Sequence, residues 1–408
     1  MKKFYSWYKA HITGAIFTGL LLGILTGLFL AGRFPAVLTI TGMAGKIYMS
    51  ALNMMIFPLV FCSIIVGITS IGNARTTGKI TGMAMLFFIC TTALASLVGI
   101  ILPRVIHLGK GVSFEMAESD IAATKITGIL DTIQTLIPSN PFKAFAEGNM
   151  LQVLVFAVII GFTLIAVGEK GAPLLKVIDS LNEVCLKIIS TVMYFTPIGV
   201  FCTIVPVVEA NGTSTIVSLA SLLIVLYLTF FGFALIVYGL SVKILGKTSP
   251  VKFFKAILPA ALNAFGTCSS SATIPISKQC MEQEMQVSNK ITSIAIPLGA
   301  TVNMDAVSIL MSFMIIFFAN ACGIDVSISM MFIILLANVL LSIGTPGVPG
   351  GAIASFTALA AMAGLPAGVM GVYISINTLC DMGATCVNVI GDLACCAVLK
   401  EKVDLEKE

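Results

Sequence analysis

Six long apolar stretches, at 11–31, 45–70, 81–103, 149–168, 173–204 and 216–245, alternate with short polar connections in the first 250 residues. A run of about 20 apolar residues is long enough to cross a bilayer as a helix, so each stretch predicts a membrane span. Beyond residue 250 the pattern changes. Residues 256–286 carry two short apolar arms around "TCSSSATIPISKQC", and residues 326–362 repeat the design around "SIGTPGVPGGA". Arms this short predict re-entrant hairpins that enter and leave the membrane on one side. Each hairpin precedes a full apolar span holding a carboxylate, Asp305 in "ATVNMDAVSI" and Asp381 in "DMGATCVNVIGD". Paired interrupted segments at matching places in two halves point to a transporter with its binding site near the midplane.

The last span, wound as a helix from Asp381, places Thr385, Asn388 and Asp392 within about 40° of Asp381, on a stripe about 16 Å long. Gly383, Cys386 and Ile390 fall on the opposite face. Such a stripe predicts a lined cavity. An acid in mid-membrane is costly and functional by default, which singles out Asp305, Asp381 and Asp392. Between Lys278 and Lys400 the one basic residue is Lys290, so internal salt bridges are nearly excluded. The counter-charge then comes from bound cations or a substrate amine; a structural acid capping a broken helix is the alternative.

The amide oxygens of Asn303 and Asn388 suit a hard cation such as sodium, and equally suit a helix–helix hydrogen bond. Asn303 lies two residues from Asp305, and both reach one ion only where the helix unwinds. Ser269, Ser270 and Ser271 at the first hairpin tip, just before Pro275, offer hydroxyls and free N–H groups to a carboxylate; bonding back to helical carbonyls is the alternative. "GTPGVPGG", Gly344 to Gly351, cannot be continuous helix, and without a lysine it is no phosphate loop. It predicts a lid.

Composition agrees: 58% of the 408 residues are hydrophobic and 10% are charged, with a mean hydropathy of +1.06. Soluble domains carry about 25% charge, so the chain is an integral membrane protein with lipid as a partner. The first span lacks a cleavage site and is expected to be retained. The eleven cysteines show no paired-ligand spacing and are expected as free thiols. A net charge of +4 without a clustered basic domain gives no reason to expect nucleic acid. No HExxH or GxSxG pattern accompanies His11 and His107, so no enzyme is expected. Lys2, Lys3, Lys9, Arg75, Lys79, Lys170, Lys176, Lys243, Lys247, Lys252 and Lys255 fall on one side if the spans alternate. The positive-inside rule puts that side, and both termini, in the cytoplasm of a plasma or inner membrane. Arg104, His107 and Lys110, opening the polar segment 104–145, run against it.

These residues resemble the dicarboxylate/amino acid:cation symporter family, which includes the excitatory amino acid transporters and their neutral amino acid relatives. The resemblance begins at "FPLVF" (Phe57 to Phe61) and "TPIGVF" (Thr196 to Phe201) and is strongest from 267 to 392, through "SSSATIP", "NMD", "GTPGVPG" and "DMGATCVNVIGD". It implies an all-α membrane protein with eight transmembrane helices, two re-entrant hairpins and inverted repeats, working as an elevator in a homotrimer. Scaffold helices one and two would occupy 1–80, and transport-domain helix three 81–103. An extracellular segment with scaffold helices four and five would occupy 104–204, and transport-domain helix six 216–250. Hairpin one would span 251–286, helix seven 289–322, hairpin two 326–362 and helix eight 366–400.

Carried over residue by residue, the resemblance implies that Ser269, Ser270 and Ser271 hold a substrate carboxylate together with the amide of Asn388. Asp381, beside Thr385, would receive the α-ammonium. Val348, Pro349 and Gly350 would touch the substrate from the lid, with Val307 and Ala384 at its side chain. Two or three transported sodium ions are implied. One would sit on Gly299, Asn303, Asn388 and Asp392, a second on Thr301, Ser342, Ile343 and Thr345. A third would sit on Phe88, Thr91, Thr92, Asn303 and Asp305.

Where acidic-substrate members have an arginine, this chain has Ala384, with Cys268 at the alternative position. A substrate carboxylate there would be buried without a partner. Val307 replaces a threonine contact, Asn377 an aspartate that supports the arginine, and Met311 a proton-carrying glutamate. The expectation is therefore a sodium-coupled symporter of small neutral L-amino acids such as serine, threonine, alanine or cysteine. A sodium- or proton-coupled carrier of acidic amino acids or dicarboxylates ranks second, and cystine or larger neutral amino acids third.

Overall fold

Glycines at positions 19, 23 and 27 place a small-residue stripe on the first helix, α1 (Lys2–Thr26), which runs on through a widened turn, Gly27–Ala31. A methyl group on Gly19 would lie 2.3 Å from the Pro197 carbonyl oxygen, and one on Gly27 would lie 2.9 Å from that of Val205. The stripe thus lets α1 seat directly on a later helix, as small residues do in membrane bundles. The computed structural model describes residues 2–74, 79–110, 137–147, 149–345, 347, 350–366 and 368–403. These residues form helices and connecting turns, with no strand among them.

The helices that follow are α2 (Pro35–Asn53), α3 (Ile56–Ala74), α4 (Lys79–Val105), α5 (Pro141–Ala146), α6 (Met150–Val167), α7 (Ala172–Met193) and α8 (Thr196–Phe233). Next come α9 (Gly239–Ile244), α10 (Pro250–Thr267), α11 (Ser270–Gln279), α12 (Asn289–Val302) and α13 (Asp305–Ala321). The described residues finish with α14 (Ile328–Gly344), α15 (Gly351–Met362) and α16 (Val369–Lys402). Among the described residues, six helical stretches are long and apolar enough to cross a membrane.

Two apolar stretches break where one span was expected. The 45–70 stretch divides at Met54 and Met55 into α2 and α3, and 173–204 divides at Tyr194 and Phe195 into α7 and α8. In both cases a proline from a motif noted above, Pro58 or Pro197, stands in the first turn of the new helix. Its missing N–H is harmless there, whereas mid-helix its ring would clash with the preceding turn. Gly212, at φ 65° and ψ −153°, breaks α8 again, ahead of the 216–245 stretch.

Burial separates two kinds of span. All of the apolar window in Asn289–Ala321 and 94% of that in Val369–Lys402 are buried, against 28% for Gly14–Ala31. α12, α13 and α16 therefore form the interior. α16 packs on α8, α10, α12 and α13, and α4 packs along α13. Arms α10 and α11 fold against each other through Cys268, at φ 50°. Arms α14 and α15 do likewise, tied by a 2.7 Å hydrogen bond between the Thr345 and Ser355 hydroxyls. Asn338 anchors α14 by donating to the Ser312 hydroxyl of α13 at 2.6 Å and the Ser96 hydroxyl of α4 at 3.2 Å.

Candidate functional site

The apolar run from Ile291 to Ala321 is interrupted at Asn303 and Met304, whose backbones leave helical geometry (φ −87°, ψ 90° and φ −117°, ψ 47°). Side chains from α16 repair the break. The Asn388 carboxamide oxygen accepts the Ala306 N–H at 2.8 Å, one of the unpaired donors at the start of α13. The Asn303 amide nitrogen donates to the Asn388 carbonyl at 3.1 Å and to Asp392 Oδ1 at 2.9 Å. The remaining oxygen of Asn303 is buried without a partner among the described residues. One turn of unwinding thus lets Asn303 and Asp305 serve one neighbourhood.

Asp305 begins α13, fully buried. It accepts from the Thr92 hydroxyl at 2.6 Å and the Tyr238 hydroxyl at 2.8 Å. Asp392, 2% exposed, presses on the backbone of α12: a methyl on Gly299 would lie 2.3 Å from Asp392 Oδ1. A methyl on Gly391 would lie 2.6 Å from both Tyr238 Oη and Asn303 Nδ2, so glycine is required for this approach. The ion pairs among the described residues are Lys143–Glu147, Lys247–Glu401 and Lys278–Glu282, and none includes Asp305, Asp381 or Asp392. Hydroxyl and amide donors soften the burial of these acids but bring no positive charge. The cluster is rich in oxygen, as hard cations require, and no three His, Cys, Asp or Glu side chains converge as a metal centre among the described residues.

The second half of the site lies where the hairpin tips meet. Ser269 caps α11 by accepting the Ala272 N–H at 3.1 Å, and donates its own hydroxyl to the Gly347 carbonyl at 3.1 Å. The Ser271 N–H donates to the same carbonyl at 3.3 Å. Across the site the Gly350 N–H donates to Asp381 Oδ2 at 3.1 Å, and the Thr385 hydroxyl to Asp381 Oδ1 at 3.2 Å. The second hairpin therefore places a carbonyl on the donors of the first tip and an N–H on the acid of α16.

Not every expected group converges. The Thr301, Ser342 and Thr345 hydroxyls bond back to Leu298, Val339 and Leu341, carbonyls of the preceding turn. The Ile343 carbonyl lies 2.6 Å from the position of a methyl on Gly67 of α3. The Thr91 hydroxyl donates to the Phe87 and Phe88 carbonyls, while the Thr92 hydroxyl donates to Asp305. Back-bonding of this kind is a routine competitor for serine and threonine in helices. Ser270, Val307, Ala384 and Cys268 are buried at 3%, 5%, 0% and 6%. Val348 and Pro349 lie outside the described residues. Tyr238 was not anticipated: it sits in an apolar stretch, "FALIVYGL", with no motif around it.

Comparison with known proteins supplies the family. The sequence model of the sodium:dicarboxylate symporter family matches residues 12–402. A proton/sodium-glutamate symport protein of Geobacillus stearothermophilus is 31% identical over 392 residues, covering 94% of this chain and 92% of that protein. One of the same description from Bacillus subtilis (strain 168) is 29% identical over 401 residues, covering 96% and 93%. A C4-dicarboxylate transport protein from Bacillus subtilis (strain 168) is 30% identical over 389 residues, covering 94% and 91%. Their substrates are those ranked second from sequence, and these relatives lend the neutral amino acid expectation no support. Taken with a helical, multi-pass architecture and buried acids that lack basic partners, the match assigns the chain to the sodium:dicarboxylate symporter family, transporters that carry sodium with their substrate.

Proposed function

We propose that this protein is a sodium-coupled symporter of α-amino acids. One observation carries the reading: the second hairpin offers a backbone carbonyl to Ser269 and Ser271 and a backbone N–H to Asp381. The first pair is a seat for an acceptor and the second a seat for a donor. An amino acid has a carboxylate and an ammonium to fill both, with Asn388 beside the carboxylate and Thr385 beside Asp381. Sodium at Asp305 and Asp392 would supply the positive charge that the protein withholds, with Asn303, Asn388 and Gly299 as oxygen donors. Each charge moved through 100 mV contributes about 2.3 kcal/mol, so two or three ions support steep accumulation.

Two readings of the side chain each have their own support. The names of the relatives favour an acidic cargo, glutamate or a C4-dicarboxylate, and the comparisons weigh on that side. The local chemistry favours a small neutral side chain, because Ala384 and Cys268 bring no charge and no ion pair reaches Asp381 among the described residues. A homotrimer with cytoplasmic termini in the plasma or inner membrane, and an elevator stroke of the interior helices, belong to the same proposal. Uptake of labelled serine and labelled glutamate into proteoliposomes, with and without external sodium and against a panel of unlabelled amino acids, tests it. Uptake indifferent to sodium would sink the coupling, and succinate carried in preference to every amino acid would sink the amine seat.

A further inference from the structure

Two buried polar atoms on α16 have no part in the site described above. The Tyr373 hydroxyl and the Asn377 carboxamide oxygen lack a hydrogen-bond partner among the described residues, although the two side chains are 0% and 2% exposed. Buried polar groups are otherwise almost always paired, because leaving one unpaired forfeits its hydration without return. Tyr373, Asn377 and Asp381 follow each other at four-residue intervals on one helix, so they occupy one side of it over about 12 Å. Ala384 lies about 20° from Asn377 around the helix axis but about 10 Å further along it, with Asp381 between them. The Tyr373 ring packs on Phe356 of α15 with centroids 4.2 Å apart, which fixes the hydroxyl from the second hairpin.

The hydrogen-bonding inventory narrows what these atoms can receive. The oxygen of Asn377 only accepts, while the Tyr373 hydroxyl both donates and accepts. A carboxylate offers acceptors alone and leaves the Asn377 oxygen unsatisfied. A hydroxyl or a carboxamide offers a donor and an acceptor together. We infer that Tyr373 and Asn377 form a subsite one to two helical turns before Asp381 that reads an uncharged, hydrogen-bonding side chain of the substrate, a hydroxyl or a carboxamide, while Asp381 holds the ammonium. The inference rests on the amino acid reading with a neutral side chain. A site that hydrogen-bonds its substrate rejects an isostere lacking the group far more strongly than an apolar pocket resolves a methylene.

The test compares isosteres in full-length protein reconstituted into proteoliposomes. Valine and threonine, with alanine, serine, asparagine, glutamine, glutamate and succinate, are measured on wild type, Tyr373→Phe and Asn377→Leu. Wild type is expected to prefer threonine over valine by about tenfold or more, and each variant to lose about tenfold on the hydroxyl and carboxamide substrates. Valine and alanine should change by less than about twofold in the same variants, which also reports that the variants are folded. Equal losses on threonine and valine, or no wild-type preference between them, would overturn the subsite and leave the neutral amino acid reading intact. Wild type that carries glutamate or succinate and none of the neutral substrates would overturn that reading itself, before any variant is made.

Discussion

The backbone N–H of Gly350 donates to the Asp381 carboxylate at 3.1 Å, so the second hairpin touches the acid proposed to receive the substrate amine. If that hairpin opens and closes over the site as proposed, the contact would couple its closure to the state of Asp381. An ammonium that takes over this oxygen brings a full charge where the peptide brings a partial one.

Asp381→Asn keeps one oxygen able to accept from Gly350 or Thr385, which now use one carboxylate oxygen each, and removes the charge. Uptake at low substrate should fall by at least tenfold, the loss of a charged hydrogen bond of about 1.5–3 kcal/mol. Sodium-dependent thermal stabilisation of the detergent-solubilised protein should persist, since Asp305 and Asp392 are untouched. Full uptake by this variant would remove the amine seat.

Ala384→Arg restores a cation on the polar stripe of α16. Acidic amino acid uptake should rise and serine uptake should fall. Because Ala384 is fully buried, the long side chain must displace neighbours, and a cost of about 1–3 kcal/mol in stability is expected. A wild type that already carries glutamate, with no gain in the variant, decides for the acidic reading.

Asp392→Asn leaves a group that can still meet Asn303 but cannot neutralise a cation. The sodium concentration for half-maximal uptake should rise about tenfold or more. Titration of uptake against external sodium at fixed substrate measures it, and an unchanged titration would separate Asp392 from cation binding.

Gly299→Ala places a methyl 2.3 Å from Asp392 Oδ1, a contact that the carboxylate or the backbone must relieve. Stability should drop by about 1–3 kcal/mol and the sodium requirement should rise with it. Gly232→Ala is the control, since a methyl there meets nothing within 4 Å and alanine favours the helix by roughly 0.8–1 kcal/mol.

Tyr238→Phe removes one neutral donor from Asp305 and leaves Thr92 in place. A rise in the sodium requirement of about tenfold or more is expected from loss of one hydrogen bond to a charged group, about 1.5–3 kcal/mol, with substrate selectivity unchanged.

The acids, the broken α12–α13 helix and the two hairpins were legible because each violates the expectation for an apolar span. Asp305 cannot be ignored in hydrocarbon, and a serine run or a "GTPGVPGG" cannot pass as ordinary membrane helix. Tyr238 was silent because a tyrosine in an apolar stretch looks like any aromatic until the fold brings it to Asp305, 67 residues away. The break at Met54 was hidden in a stretch that reads as one apolar span, with Asn53 and Pro58 its signs. The hydroxyls of Thr301, Ser342 and Thr345 are set by rotamers, and sequence position says nothing of them. The missing arginine at Ala384 was read correctly as a residue, yet one absent charge identifies no cargo, and the relatives lean towards acidic substrates.

Gly347 and Gly350 grip the first hairpin tip and Asp381 through main-chain atoms. No side-chain replacement can delete a peptide carbonyl, and only proline removes an N–H. On the proposed reading, the second hairpin's own contacts with the head-group seat are thereby insulated from side-chain substitution, whereas positions 268, 307 and 384 act through their side chains. On that reading, a change of cargo would leave the hairpin's main-chain grip untouched.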